Sequence, residues 1–452
     1  MYKKITCAFI VVTLLVVSVC GCVDPSLPSP DDPVVLTMWH NYGGAMQQTM
    51  DELIDEFNST VGMDNGITIN VTAISSSADL NASLDMILNG DPGAPDMPDI
   101  FTGYPKTAVK LAAQGLLADL DDYFTDDELA QYVDAFVAEG RLHDGGLYVF
   151  PIAKSTEILY LNQTLFDEFA SETGADPELL SSFEGIASLA QLYYRWTDVK
   201  TPDVPNDGMQ FYTADSWFNV AEVCMEQLGG SFIDDENQLR CDTADFSRIF
   251  ETLYAPCVEG GFAIYDGYSS DLSKTGDLVC STGSSAGILF YGDTITYEDG
   301  TVIDVEYSIL PYPVLEGGSN IALQRGGGLM VKGGDAKRAA ASSIFIKWLT
   351  AAAQNMRFIS QTGYIPVTKD AFEVEMAGHL DNLSDARIEK MLRAVLSMYE
   401  SYDFFTAPVF NEFDALSDEY ETDFKALMLQ CRNAYLSGDP VEASAALTSL
   451  AE

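Results

Sequence analysis

Hydrophobic and polar positions change period many times along this chain, and each change marks an element. Residues 34–39 (VVLTMW) form a continuous apolar, β-branched run, which predicts a buried strand. Gly43-Gly44 breaks it, and residues 45–57 carry Met46, Met50, Leu53, Ile54 and Phe57 at helical spacing. Residues 67–74 alternate as a second strand, 78–88 read as a helix, 98–102 lead into a third strand, and 107–118 are helical again. Further on, 146–161 is a long extended stretch, and 185–197 and 214–228 have helical spacing. Residues 287–291, 302–310 and 329–332 read as strands, and 336–353 as an amphipathic helix. Past Gly363-Tyr364 the pattern is mainly helical, with breaks at Pro408 and Pro440. Such alternation predicts an α/β protein built on a mostly parallel sheet flanked by helices. No repeat of solenoid period is present.

The first residues follow another rule. Lys3 and Lys4 precede an apolar run over 5–19, shorter than the roughly 20 residues a membrane span needs. The run closes on Val19-Cys20-Gly21-Cys22, with small Gly21 just before Cys22. This resembles a lipobox, in which the cysteine becomes the lipidated first residue of the mature protein. Residues 1–21 are thus read as a signal peptide, and 22–33 as lipidated Cys22 plus a Pro-rich extended tether. The expected location is extracytoplasmic, anchored to the cell membrane by the lipid on Cys22 alone. Order is expected from Val34.

Composition narrows the partners. The 452 residues include 23 Lys and Arg against 69 Asp and Glu, a net charge of −46. Nucleic acid, whose phosphates need basic side chains, is excluded as a partner. The acid is spread along the chain and reads as a solvated face. Cys224, Cys241, Cys257 and Cys280 could form two disulfides in an oxidising setting; Cys431 also lies past the signal. Their spacings fit no metal pattern, and no metal or cofactor is expected. Asn58, Asn70, Asn81, Asn162 and Asn382 open N-x-[ST] sequons, which suggest exposure at most.

Five segments in order resemble family 1 extracellular solute-binding proteins, the capture subunits of ABC importers. They are LTMWHNYGGAMQQTMDELIDEFN, MPDIFTGYPKTAVKLAAQGLLADL, GGLYVFPIAKSTEILYLNQTLF, IALQRGGGLMVKGGDAKRAAASSIFIKWLT and FISQTGYIPVTKDAF. The resemblance implies a two-lobed periplasmic-binding-protein fold (type II), with a ligand cleft between lobes that close about a hinge. It implies crossings near 152–153, 310–311 and 351–353. One lobe would be 34–152 plus 311–351, and the other 153–310 plus 352–452. The implied partners are a carbohydrate or polyol and the permease subunits, with the protein itself a monomer.

Sugar sites combine flat apolar rings with fixed polar groups. At loops the family uses, the chain offers Asn41, Tyr42, Tyr104, Lys106, Ser155, Thr156, Ser284, Ser285 and Tyr364. Trp217 stands where the family often stacks an aromatic, with core packing an equal reading. Arg325 precedes a glycine run in which Gly327 could bring bare backbone N–H groups to a ligand. Glu157 reads as a lobe–lobe salt-bridge partner, and Lys154 as pointing to solvent. Glycerol-phosphate binders carry an arginine-bearing loop late in the chain; the comparable residues 401–408 have no arginine, and Pro105-Lys106 replace their glutamate. A neutral sugar is therefore expected ahead of an anionic solute such as glycerol-3-phosphate or a sugar phosphate.

An enzyme is the competing class. Gly283-Ser-Ser-Ala-Gly287 matches the G-x-S-x-G nucleophile elbow, but His379 is the only histidine after it, and the residues beyond Gly287 read as strand, not helix. The many acids make chance carboxylate pairs certain, and none is singled out as a glycosidase pair.

Overall fold

The computed structural model describes residues 27–451 apart from 382, 384 and 411. Cys22, the signal segment and the Asn382 sequon lie outside the described residues. Order begins before Val34: Ser29 and Asp32 bridge to one another, and Lys337 Nζ reaches Asp32 at 2.5 Å. No helix among the described residues is long and apolar enough to cross a membrane.

In chain order the strands are β1 (Val34–His40), β2 (Ile67–Ala73), β3 (Ile100–Gly103), β4 (Phe150–Pro151), β5 (Ser155–Asn162), β6 (Tyr212–Ala214) and β7 (Cys280–Ser284). A hairpin of β8 (Thr294–Thr296) and β9 (Val302–Asp304) follows, then β10 (Tyr307–Leu310), β11 (Ile321–Arg325), β12 (Gly328–Val331) and β13 (Asp403–Phe405). They make two main sheets, ordered β2-β1-β3-β12-β4 and β13-β11-β5-β7-β6, with β10 also on β5. The sheets are mixed rather than mostly parallel. The chain returns into each sheet from the other lobe, so β12 runs antiparallel to β3, and β5 antiparallel to β7, β10 and β11. Continuous apolar runs suit strands buried on both faces: every residue of β5 is buried.

Helices cover both sheets. Gly44–Ser59 buries Met50, Leu53, Ile54 and Phe57, the face its spacing predicts. Each such side chain contributes about 1.5–3 kcal/mol on burial. Ser182 and Ser216 cap the helices Phe183–Asp198 and Trp217–Gln227, accepting from Gly185 N and Asn219 N. Residues 287–291 are not a strand: Ser285–Phe290 is a 3-10 turn, because Ser284 caps it by accepting from Ala286 N. Asn162 is buried and caps Gln163–Thr173, so its sequon does not mark an exposed loop. Cys224, Cys241, Cys257, Cys280 and Cys431 are all buried free thiols, so the two disulfides do not form.

The chain passes between the sheets at three places. The first lies between β4 and β5, at residues 152–154. The second lies between β11 and β12, at Gly326-Gly327, rather than at 310–311. Strand β11 belongs with the second sheet because it pairs with β5 and β13. The third comes after the helix Ala352–Ile359, not before it. That helix stays on the first lobe, where Arg357 holds Glu52 and Glu56 at 3.1 and 2.5 Å.

Glycine permits the second passage. A Cβ on Gly327 would lie 2.5 Å from Gly103 O, one on Gly328 2.3 Å from Phe150 O, and Gly326 has φ +108°. Lys154 fastens the first two passages to each other and to the segment of Ile365. Its backbone exchanges hydrogen bonds with Ile365, and its Nζ donates to Gly326 O at 3.0 Å and to Glu139 at 2.8 Å. Lys154 is 2% exposed, so it does not point to solvent. Breaking a buried ion pair from one side strands the other charge, at roughly 3–5 kcal/mol. Lys154→Met is therefore expected to lower stability by about that amount in urea unfolding, while Lys369→Met, at an exposed pair with Asp134, changes it by less than about 1 kcal/mol.

Candidate functional site

A cleft of about 500 Å³ lies between the two sheets. The first lobe lends it Ser77, Tyr104, Lys106 and Glu139. The second lends Ser155, Ser216, Asn219, Glu222, Ser284 and Arg325, with the segment Thr406–Val409 and the first turns of Phe413–Leu436. Gly326 and Tyr364 border it at the passages.

Of the residues expected here, Tyr104, Lys106, Ser155, Ser284, Arg325 and Tyr364 reach the cleft. Tyr104 follows β3 and stands at the N-cap of the helix Pro105–Ala113, 39% exposed. Tyr364 lies nearly parallel to Phe358, ring centroids 6.3 Å apart, and burial with Tyr104 nearby pushes its phenol up to about 12.

The others sit behind the surface. Asn41 accepts from Thr102 Oγ1 at 2.8 Å and donates to Ser77 Oγ at 2.6 Å, so it positions a cleft residue. Tyr42 packs edge-on to Phe358 and Tyr364. Thr156 is buried, its hydroxyl donating to Leu323 O at 2.9 Å. Ser285 is buried and accepts from Thr156 N at 3.3 Å, with no histidine bonded to it. Gly327 serves close backbone packing against Gly103 instead of a ligand. Trp217 is fully buried against Phe424 and Phe262 and is core.

Helix periodicity explains Trp217. Ser216, Asn219 and Glu222 are three apart and share one side of the helix, which borders the cleft. Trp217 is directed into the core. The same spacing puts Phe413, Asp414 and Ser417 at the cleft. Sequence reasoning passed over both sets, although the polar i, i+3 steps were visible.

The charges near the cleft are paired. Lys106 of the first lobe meets Asp414 of the second at 2.5 Å, an ion pair across the mouth. Arg325 bonds Glu157 at 3.0 Å. Both stand on the second sheet, so the pair lies within a lobe and does not join the two. Burial raises the Glu157 carboxyl, while Arg325 and Asn219 pull it back. Lys154 pairs with Glu139. Glu222 differs: it is 2% exposed and neither carboxyl oxygen has a hydrogen-bond partner.

The model for bacterial extracellular solute-binding proteins matches residues 52–382. The sn-glycerol-3-phosphate-binding periplasmic protein UgpB of Rhizobium meliloti (strain 1021) is 24% identical over 75% of this chain and 76% of its own. Among solved structures, the cyclic alpha-maltosyl-1,6-maltose binding protein of Arthrobacter globiformis aligns with TM-score 0.70 at 18% identity, covering 92% of this chain and 97% of that one. UgpB of Mycobacterium tuberculosis, in complex with glycerophosphocholine, aligns with TM-score 0.68 at 18% identity, over 92% and 96%. The two lobes and their cleft are those of a periplasmic binding protein. The chain belongs to the bacterial extracellular solute-binding protein family.

Core and cleft aromatics should separate in a melt. Trp217→Ala is expected to lose about 3–5 kcal/mol, whereas Tyr104→Ala, at an exposed ring, changes stability by about 0.5 kcal/mol or less. Equal losses would contradict the assignment of Trp217 to the core.

Proposed function

We propose that this protein captures a carbohydrate, a mono- or oligosaccharide, in the cleft and delivers it by lobe closure to an ABC importer permease. The observation that carries the reading is the cleft itself: the exposed ring of Tyr104, the half-buried rings of Tyr364 and Phe413, and hydroxyls from both lobes, with both lining cations already neutralised by Asp414 and Glu157. Rings cover the C–H faces of a sugar, and amide and hydroxyl groups meet its oxygens. The protein acts as a monomeric binding protein outside the cytoplasm, held to the membrane by lipid on Cys22. The spacer after Cys22 keeps the lobes within reach of the permease. No catalytic role is assigned.

A second reading is supported by the glycerol-3-phosphate-binding relative. An anionic headgroup would have to draw Lys106 from Asp414, or Arg325 from Glu157. The carbohydrate reading needs neither exchange.

Thermal melting of the purified protein with maltotriose, mannotriose, glycerol-3-phosphate and glycerophosphocholine tests this. A rise in Tm with one of the sugars is expected, by the mass-action stabilisation that any ligand of the native state gives. Tyr104→Ala should reduce that rise while leaving the unliganded Tm unchanged. A rise with the phosphates alone supports the second reading. Hydrolysis of the sugars without a rise contradicts both.

A further inference from the structure

Glu222 is the one acid at the cleft, among the described residues, that has no partner. Glu139 is held by Lys154, Asp414 by Lys106, and Glu157 by Arg325 and Asn219. Glu222 lies on the second turn of Trp217–Gln227, beside the buried Ala221 and Val223, where an apolar side chain would satisfy the core. Burying a polar group without a hydrogen bond is unfavourable by several kcal/mol. A rule of core composition broken beside a binding cleft points to function.

We propose that Glu222 is a specificity-determining residue that exchanges hydrogen bonds with a hydroxyl of an uncharged, hydroxyl-rich solute. This rests on the reading of the cleft as a carbohydrate site. The charged groups acting on Glu222 are Glu226 on its own helix, Glu157 on β5 and Arg325 on β11. Burial first, then Glu226 and Glu157, raise its carboxyl from 4.5 to about 8, against the pull of Arg325. At neutral pH it is therefore mostly a neutral acid, with one O–H donor and an accepting oxygen. A sugar hydroxyl has the complementary pair. An ionised phosphate group offers acceptors only, so it would leave the accepting oxygen of Glu222 without a donor.

The raised value also sets a sign. Between about pH 4.5 and 8 the native state keeps a proton that the unfolded chain has released. The contribution of Glu222 to stability is fully present below that window and is lost as pH rises through it. Wild type should therefore lose Tm relative to Glu222→Gln from pH 5 to pH 8.

The test uses Glu222→Gln and Glu222→Leu in the purified protein, melted alone and titrated calorimetrically with maltotriose, mannotriose and glycerophosphocholine. Both variants are expected to fold and to melt at or above wild type at pH 8. For the sugar that wild type binds, Glu222→Leu should weaken affinity by about tenfold or more. Wild-type affinity should fall as pH rises past 8, and the affinity of Glu222→Gln should not. Unchanged affinity in both variants overturns the proposal, as does a large Tm loss in both, which would make Glu222 a structural prop. Binding of glycerophosphocholine alone overturns the uncharged class. A wild type that binds none of the three contradicts the carbohydrate reading, and the inference falls with it, whereas sugar binding that survives both substitutions contradicts the inference alone.

Discussion

The ammonium group of Lys154 is the point on which the two-lobed arrangement depends. Lys154 sits on the first passage between lobes, its Nζ bonds the carbonyl of Gly326 on the second, and its backbone bridges to Ile365 beyond the helix Ala352–Ile359. Its charge is balanced by Glu139, on a helix of the first lobe. An ammonium this deeply buried holds its place only with a counter-charge and acceptors around it. Those partners come from separate segments, so Lys154 holds the first two passages and the segment of Ile365 at one spot. Asn355 reinforces it, donating to Ile152 O at 2.6 Å and accepting from Val367 N at 3.0 Å. Polar bonds concentrated there give the lobes a common pivot, and glycines 326–328 let the backbones come close enough to share it.

What lies in front of that pivot follows from charge. A protein of net charge −46 places few cations anywhere, and those at the cleft are spent on carboxylates of the protein itself. Lys106 reaches across the mouth to Asp414, and Arg325 covers Glu157. The surface left for a solute is aromatic, hydroxyl-bearing and close to neutral, with one buried acid unpaired. Such a surface discriminates by shape and hydrogen bonding rather than by attraction of charge.

Much of this was legible in the chain. Apolar periodicity located the strands of 34–40 and 67–73 and the helix after the first. The ordered motifs implied two lobes, and the loops after strands pointed to Tyr104, Lys106, Ser155 and Arg325. What was hidden depends on contacts between distant residues. Periodicity cannot tell that β11 pairs with β5, so the second passage was expected sixteen residues early. Trp217 looked like a stacking ring because a helix start can send a side chain either way; the facing residues Phe262 and Phe424 decide it. Lys154 alternates outward in the sequence pattern, and the distant Glu139 and Gly326 O make its inward position tolerable. Cysteines with plausible spacing proved to be separate buried thiols, since proximity in sequence says nothing about Sγ geometry.

A solute bound in the cleft should draw the two lobes together about the pivot at Lys154. Small-angle X-ray scattering on the protein with and without the sugar that raises its Tm tests this most directly. The radius of gyration is expected to fall with the sugar, and to fall less when Lys154 is replaced by methionine in protein that remains folded. An identical scattering profile with saturating sugar would contradict it.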